Sequence, residues 1–286
     1  MVRRGIVALV MASVAWHSAH AQKSKPAKEA RAPAVPADTA VAPAPTPEVN
    51  PPPSDSLEAI SRRGRALAVR DSVAWLGSDA MTSLSLPADS IRRLIVRSTD
   101  HGWEVASGAL TDDHSAFLIS ELAIPGIQEA WASTLYDSPE PDTGYFASAA
   151  RAIEASVGMF VRPAPRIFVA MAIPDANGWL VYIYPAPGGN GSWPRGGDMR
   201  FRLSEDGRVV TESRRLHESI TEYSVRTARP SSALLEREPL VSGDTPEDTD
   251  VFHVLQRRPA IAELMSAGKY RYRIDVDGTV RLLPNN

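Results

Sequence analysis

His217, Glu218 and Ser219, with Asp244, Glu247, Asp248, Asp250 and His253, put two imidazoles and several carboxylates within one stretch of the chain. These are the ligand types that a hydrolytic zinc needs, or a general base and the acid that orients it. His217, Glu218, Asp250 and His253 are therefore the candidate catalytic residues. Their spacing matches no zinc-protease pattern, and the two histidines are far apart. The competing reading sets His253 in a strand between Phe252 and Val254 and makes the acidic run a solvated loop. Neither a resident metal nor a cofactor is expected.

A second group of residues offers binding without chemistry. Arg200 and Arg202 alternate with Met199, Phe201 and Leu203, and Arg271 and Arg273 alternate with Tyr270, Tyr272 and Ile274. If these two strands shared a sheet, four guanidinium groups would lie on one face. Trp193 and Arg195 stand nearby in a glycine-rich loop, where an aromatic ring and a fork-shaped donor could grip a sugar or a carboxylate. The alternative is an ordinary solvated face balanced by Glu212 and Asp275, with Trp193 tucked onto the core.

Other chemistries fail on composition or spacing. The chain has no cysteine, which removes thiol nucleophiles, thiolate metal sites and disulfides. Asn190 occupies the first glycine position around Ser192, so there is no nucleophile elbow. The glycine loop lacks phosphate-cradle spacing and leads into a strand instead of a helix. Asp275-Val-Asp-Gly278 resembles the start of a calcium loop, but the bidentate carboxylate such a loop requires would fall on Pro284.

The elements that must position these residues are clearest from Ile167 to Ser213. Ile167–Ile173, Trp179–Tyr184 and Met199–Leu203 read as strands, with a fourth at Arg208–Ser213 and turn dipeptides at Asn177-Gly178 and Asp206-Gly207. The first two are apolar on both faces, as in a strand covered on both sides. The third should be half exposed. The hairpin pattern from Arg202 echoes that from Arg273, which ends in Asp277-Gly278 and a last strand to Leu283. Convergence of half-buried hairpins explains the echo, and duplication of a small unit is the alternative. Leu216–Val225 suits either a strand or a helix, Ser231–Arg237 suggests a short helix, and Val251–Arg257 suggests a strand.

Upstream, Asp55-Ser-Leu-Glu58 has capping-box spacing and opens an amphipathic helix to Leu76, closed by Gly77. Pro87–Asp89 starts a second helix through Val96. Trp103–Ser107 and Ala116–Ala123 read as paired strands. Pro125 is placed to start a helix burying Ile127, Ala130, Trp131 and Leu135. Another helix, capped by Asp142, runs from Thr143 to Met159 and ends before Arg162-Pro-Ala-Pro165.

The first 53 residues read differently. Arg3 and Arg4 precede an apolar run from Ile6 to Trp16, and Ala19-His20-Ala21 supplies the small residues of a cleavage site, so residues 1–21 are expected to be a signal peptide. The run is shorter than the ~20 residues that span a bilayer, and no span is expected in the mature chain. Residues 22–53 carry nine prolines and scarcely a large apolar side chain, the composition of a disordered linker. Loss of Arg3 and Arg4 takes the net charge from -3 to -5, which argues against nucleic-acid binding. Beyond residue 53 there are 24 arginines and one lysine, Lys269. That excess reads as codon usage of a GC-rich genome, with selection for anion binding credited only locally.

The sequence thus predicts residues 54–286 as one α+β domain, N-terminal helices packed on a largely antiparallel, hairpin-rich sheet, divisible into a helical half (54–162) and a sheet half (163–286). The leading functional expectation is a noncatalytic periplasmic or secreted protein that binds an envelope protein or a glycan. A hydrolase using the histidines and carboxylates is the alternative.

Overall fold

The computed structural model describes residues 52–81, 93–126, 130–188, 192–224, 235–237, 243–257 and 260–284. The expected leader, nearly all of the expected linker, the start of the second expected helix and residues 231–234 lie outside the described residues. The fold is mixed α+β and its sheets are mostly antiparallel.

Helix α1 (Ser54–Ala80) leads into strands β1 (Arg93–Thr99), β2 (Gly102–Leu110), β3 (Phe117–Pro125) and β4 (Trp131–Asp142), which form one sheet in that order. Helix α2 (Tyr145–Met159) connects it to a second sheet of β5 (Phe168–Asp175), β6 (Gly178–Pro185), β8 (Met199–Leu203) and β9 (Val210–Arg215). Between β6 and β8 lies β7 (Ser192–Gly196), which pairs with β10 (Ile220–Ser224) as a separate ribbon. A third sheet runs β11 (Leu235–Arg237), β12 (Glu263–Ala267), β13 (Tyr270–Ile274) and β14 (Val280–Leu283). The nine-residue helix α3 (Asp248–Gln256) stands before β12 in the chain.

Strand alternation assigns the two faces. Ile95, Ala106, Phe168, Ala172, Trp179, Val181 and Ile183 join Phe146, Ala149 and Ile153 of α2 in one core. Their neighbours Val96, Val105, Met171, Ile173, Leu180, Tyr182 and Tyr184 join Leu67 and Val73 of α1 and Phe252 of α3 in the other. The first two sheets are thus sandwiched between α2 on one side and α1 with α3 on the other. This is why β5 and β6 read as apolar on both faces. A third core joins Leu57 and Ile60 of α1, Val251 and Val254 of α3, and Tyr270, Tyr272, Ile274 and Val280 of the third sheet.

Several expected elements change type. The segment expected to end a helix at Val96 is strand β1, because Ile95 and Val96 each face a different core, as only strand alternation allows. The helix expected after Pro125 is β4, in which Leu135 is exposed. The strand expected at Val251–Arg257 lies instead within and just beyond α3, whose capping box pairs Glu247 with Asp250. Helix α1 starts at Ser54, so Asp55 lies within its first turn, and it runs through Gly77, where a Cβ would meet Val105 at 2.5 Å. Asp142 does serve α2, accepting from the Gly144 and Ala147 amides at 3.1 Å each.

Gly64 sits where α1 crosses α3. A Cβ there would lie 2.5 Å from the Asp248 carbonyl oxygen and 2.5 Å from Val251 Cβ. Alanine would gain about 1 kcal/mol of helix propensity, but overpacking a filled contact costs about 1–3 kcal/mol. Gly64→Ala is therefore expected to lower the unfolding free energy by up to about 2 kcal/mol in urea denaturation; a stabilised variant would show that the α1–α3 contact is loose.

Candidate functional site

Helix α3 opens with Asp248 and Asp250, both without exposed surface. A buried carboxylate is costly unless paired and hydrogen-bonded, and each of these is. Arg63 of α1 forks onto Asp248, with Nε 3.0 Å from both oxygens. Arg200 of β8 donates to Asp248 Oδ2 at 2.6 Å, and the Tyr182 hydroxyl of β6 donates to the same oxygen at 2.7 Å. One carboxylate therefore ties α1, β6 and β8 to α3.

Asp250 does the same for the ribbon. Arg195 of β7 donates to Asp250 Oδ1 from Nε at 3.1 Å and also from Nη2. Its Nη1 reaches Glu263 of β12 at 3.0 Å, and Arg257 pairs with that same glutamate at 2.6 Å. His217 is held from both sides, with Nδ1 2.7 Å from Asp198 and Nε2 3.3 Å from Asp250. Asp250 Oδ2 also accepts from the Glu247 amide at 2.8 Å, and Arg214 donates to the Glu247 carboxylate.

Electrostatics follow from this geometry. Burial pushes the His217 imidazole down, but Asp250 and Asp198 outweigh it and its pKa is pushed up to about 10, so the ring is an imidazolium. Burial acts to raise the Asp250 carboxyl, yet Arg195 and His217 hold it well below the usual carboxylate range. His253, one turn further along α3, goes the other way: burial and then Arg195 push it well below 6.5, so it is neutral. Glu247 is raised to about 7, chiefly by burial and against the pull of Arg214.

The structure thus brings His217, Asp250 and Arg195 into one cluster on the His253 side of α3. Glu218, the next residue along from His217, is exposed. As chemistry, the cluster is closed. A general base needs a free lone pair and a path to substrate, whereas His217 is protonated, flanked by two carboxylates and without exposed side-chain surface. Among the described residues no group of three histidines or carboxylates is placed to hold a metal ion.

The arginine surface is divided. Arg200 and Arg202 lie in the second sheet and Arg271 and Arg273 in the third, so the expected shared sheet does not form. Arg195 and Arg200 turn inward to α3, and Trp193 is half-buried on the ribbon. Arg202 pairs with Asp175 and Arg273 with Asp275. Sequence reasoning missed Arg63, Asp198 and Glu263. The only signal for them is a charge on an apolar stripe: Arg63 follows Ile60, and Glu263 begins an alternating strand with Met265 and Ala267.

Among the described residues no helix is long and apolar enough to cross a membrane. Comparison with protein-family models, curated proteins and solved structures yields no match. The fold and cluster define the protein as an α+β scaffold organised by a buried ionic network.

Asp248→Asn leaves Arg63 and Arg200 facing a neutral amide and is expected to lower the unfolding free energy by about 3–5 kcal/mol. Arg202→Ala, at a pair with both side chains about a third exposed, should cost under about 1 kcal/mol; equal effects in chemical denaturation would show that burial does not set the strength of these pairs.

His217 also predicts a pH dependence. Its folded pKa lies above the ordinary 6.5, so the native state binds the extra proton between these values and the stability it confers is full below pH 6.5. That stability falls as pH rises toward about 10. His217→Gln is expected to flatten this alkaline decline in thermal melts, whereas an unchanged slope would mean that the imidazole is not charged in the fold.

Proposed function

We propose that this chain is an exported, noncatalytic envelope protein, periplasmic or secreted, that works by binding a partner or ligand. The observation that carries the reading is the closure of the histidine–carboxylate cluster. Its carboxylates are matched by Arg63, Arg195, Arg200, Arg214, Arg257 and the His217 imidazolium. Charges so fully engaged organise a fold, and they are poorly placed to activate water or a substrate. The hydrolase alternative would need His253 as its base, since that ring is neutral, but His253 is only 6% exposed.

Export rests on the charged start, apolar run and Ala-His-Ala site of residues 1–21, with the Pro/Ala-rich stretch that follows serving as a spacer to the folded part. In this reading an envelope protein or a glycan is the partner, and nucleic acid is disfavoured by the net negative charge.

The test is turnover by the purified protein on ester, phosphoester, glycoside and peptide substrates, beside His253→Asn with its fold checked by circular dichroism. The expected result is no turnover that depends on His253; activity lost in the folded variant would overturn the noncatalytic reading. N-terminal sequencing of the product from the envelope fraction should begin at Gln22, and a product retaining Met1 would remove the export part.

A further inference from the structure

Arg63, Arg195 and Arg200 each meet a carboxylate, whereas Arg151 does not. It projects from the middle of α2, is only 9% exposed, and donates Nε to the Asp206 carbonyl at 2.8 Å and Nη1 to the His114 carbonyl at 3.1 Å. Arg208, beyond the β8–β9 turn, donates Nη2 to that same His114 oxygen at 3.3 Å. Two guanidinium groups therefore converge on one neutral acceptor. They border a cleft of about 220 Å³ lined by His114, Arg151, Glu154, Ala155 and Arg208.

Both walls of the cleft are held in place. His114 is the one non-glycine residue with positive φ among those described, at 56°. Its loop is braced by Asp113, which accepts from the Ser115 amide at 3.0 Å and the Thr111 hydroxyl at 2.6 Å. Opposite, Gly207 has φ 76°, and a Cβ there would come within 2.1 Å of the Ser148 carbonyl, so the turn is seated directly on α2. The carboxylates nearby are otherwise engaged. Glu154 pairs with Arg93, and Asp206 accepts from the Ser204 hydroxyl and the Arg208 amide while its other oxygen is 3.9 Å from Arg208 Nε. Burial first, then the charge of Arg208, lowers the Arg151 pKa, against a weaker opposing pull from Asp206 and Asp142.

We propose that this cleft is a binding site for one small oxyanion, the carboxylate or phosphate group of a ligand, gripped by Arg151 and Arg208. The fork geometry of guanidinium matches two oxygens of such a group. The cleft is below the size of sites that enclose drug-sized molecules, so it takes a single charged group instead of a whole ligand. The assignment stands apart from the noncatalytic reading, since an oxyanion could serve a binding protein or an enzyme.

Calorimetric titration at low salt with inorganic phosphate, and separately with succinate, tests it. Saturable binding of either is expected, and whichever anion binds more tightly names the source of the charge. Arg208→Ala should weaken binding about tenfold. Glu154→Gln should tighten it by removing a carboxylate from the rim, and Arg62→Ala, on the exposed side of α1, should change nothing. Failure of both anions to saturate, or equal loss from the Arg208 and Arg62 variants, would overturn the site.

Discussion

Asp248 and Asp250, two residues apart in the first turn of α3, carry their charges into a space from which water is excluded. The cost of that placement is met only because arginines arrive from elsewhere in the chain. Arg63 comes from α1, Arg200 from β8 and Arg195 from β7, with Tyr182 of β6 and His217 completing the contacts. No one of these elements can shift without leaving a buried charge uncompensated, a far larger penalty than losing an apolar contact of similar size. The capping box adds a local reason for the helix to begin where it does, since Asp250 serves both the Glu247 amide and Arg195.

Such a network is an unusual investment for stability alone, because well-packed apolar groups of similar volume often do as well. What it supplies is register. Two of the three cores meet at α3, and each is apolar enough to slide, whereas a forked guanidinium on a carboxylate accepts one geometry. A chain without disulfides, in which arginine far outnumbers lysine beyond residue 53, has the side chain best suited to such buried pairs. The arginine excess, whatever its origin in codon usage, is used structurally at these positions.

Two kinds of buried arginine therefore coexist. Those at α3 are saturated by carboxylates and belong to the scaffold. Arg151 on α2, on the opposite side of the sheets, is satisfied by carbonyls alone and faces a cleft. The contrast separates charge that holds the fold from charge left available to a ligand, and it rests on partner chemistry, because both kinds are similarly hidden from solvent.

By itself the sequence determined the mixed α+β class, strands β5, β6, β8 and β9, the β2–β3 pair and helix α2, because alternation, turn dipeptides and caps are local signals that survive without tertiary context. It also brought His217, Asp250 and His253 together as a candidate group. Only the tertiary structure decided that α3 is a helix, that β1 and β4 are strands, and that the α3 cluster is sealed. Val251–Arg257 is short and apolar on both sides, so its period is ambiguous, and only the two cores it touches settle it. Arg63 lies 185 residues from its partner Asp248, and Glu263 lies 68 residues from Arg195, so nothing local signals either pairing. Whether a charge is solvated or buried depends on what the rest of the chain brings to it. That is a property of the packed fold, which residue type and spacing do not encode.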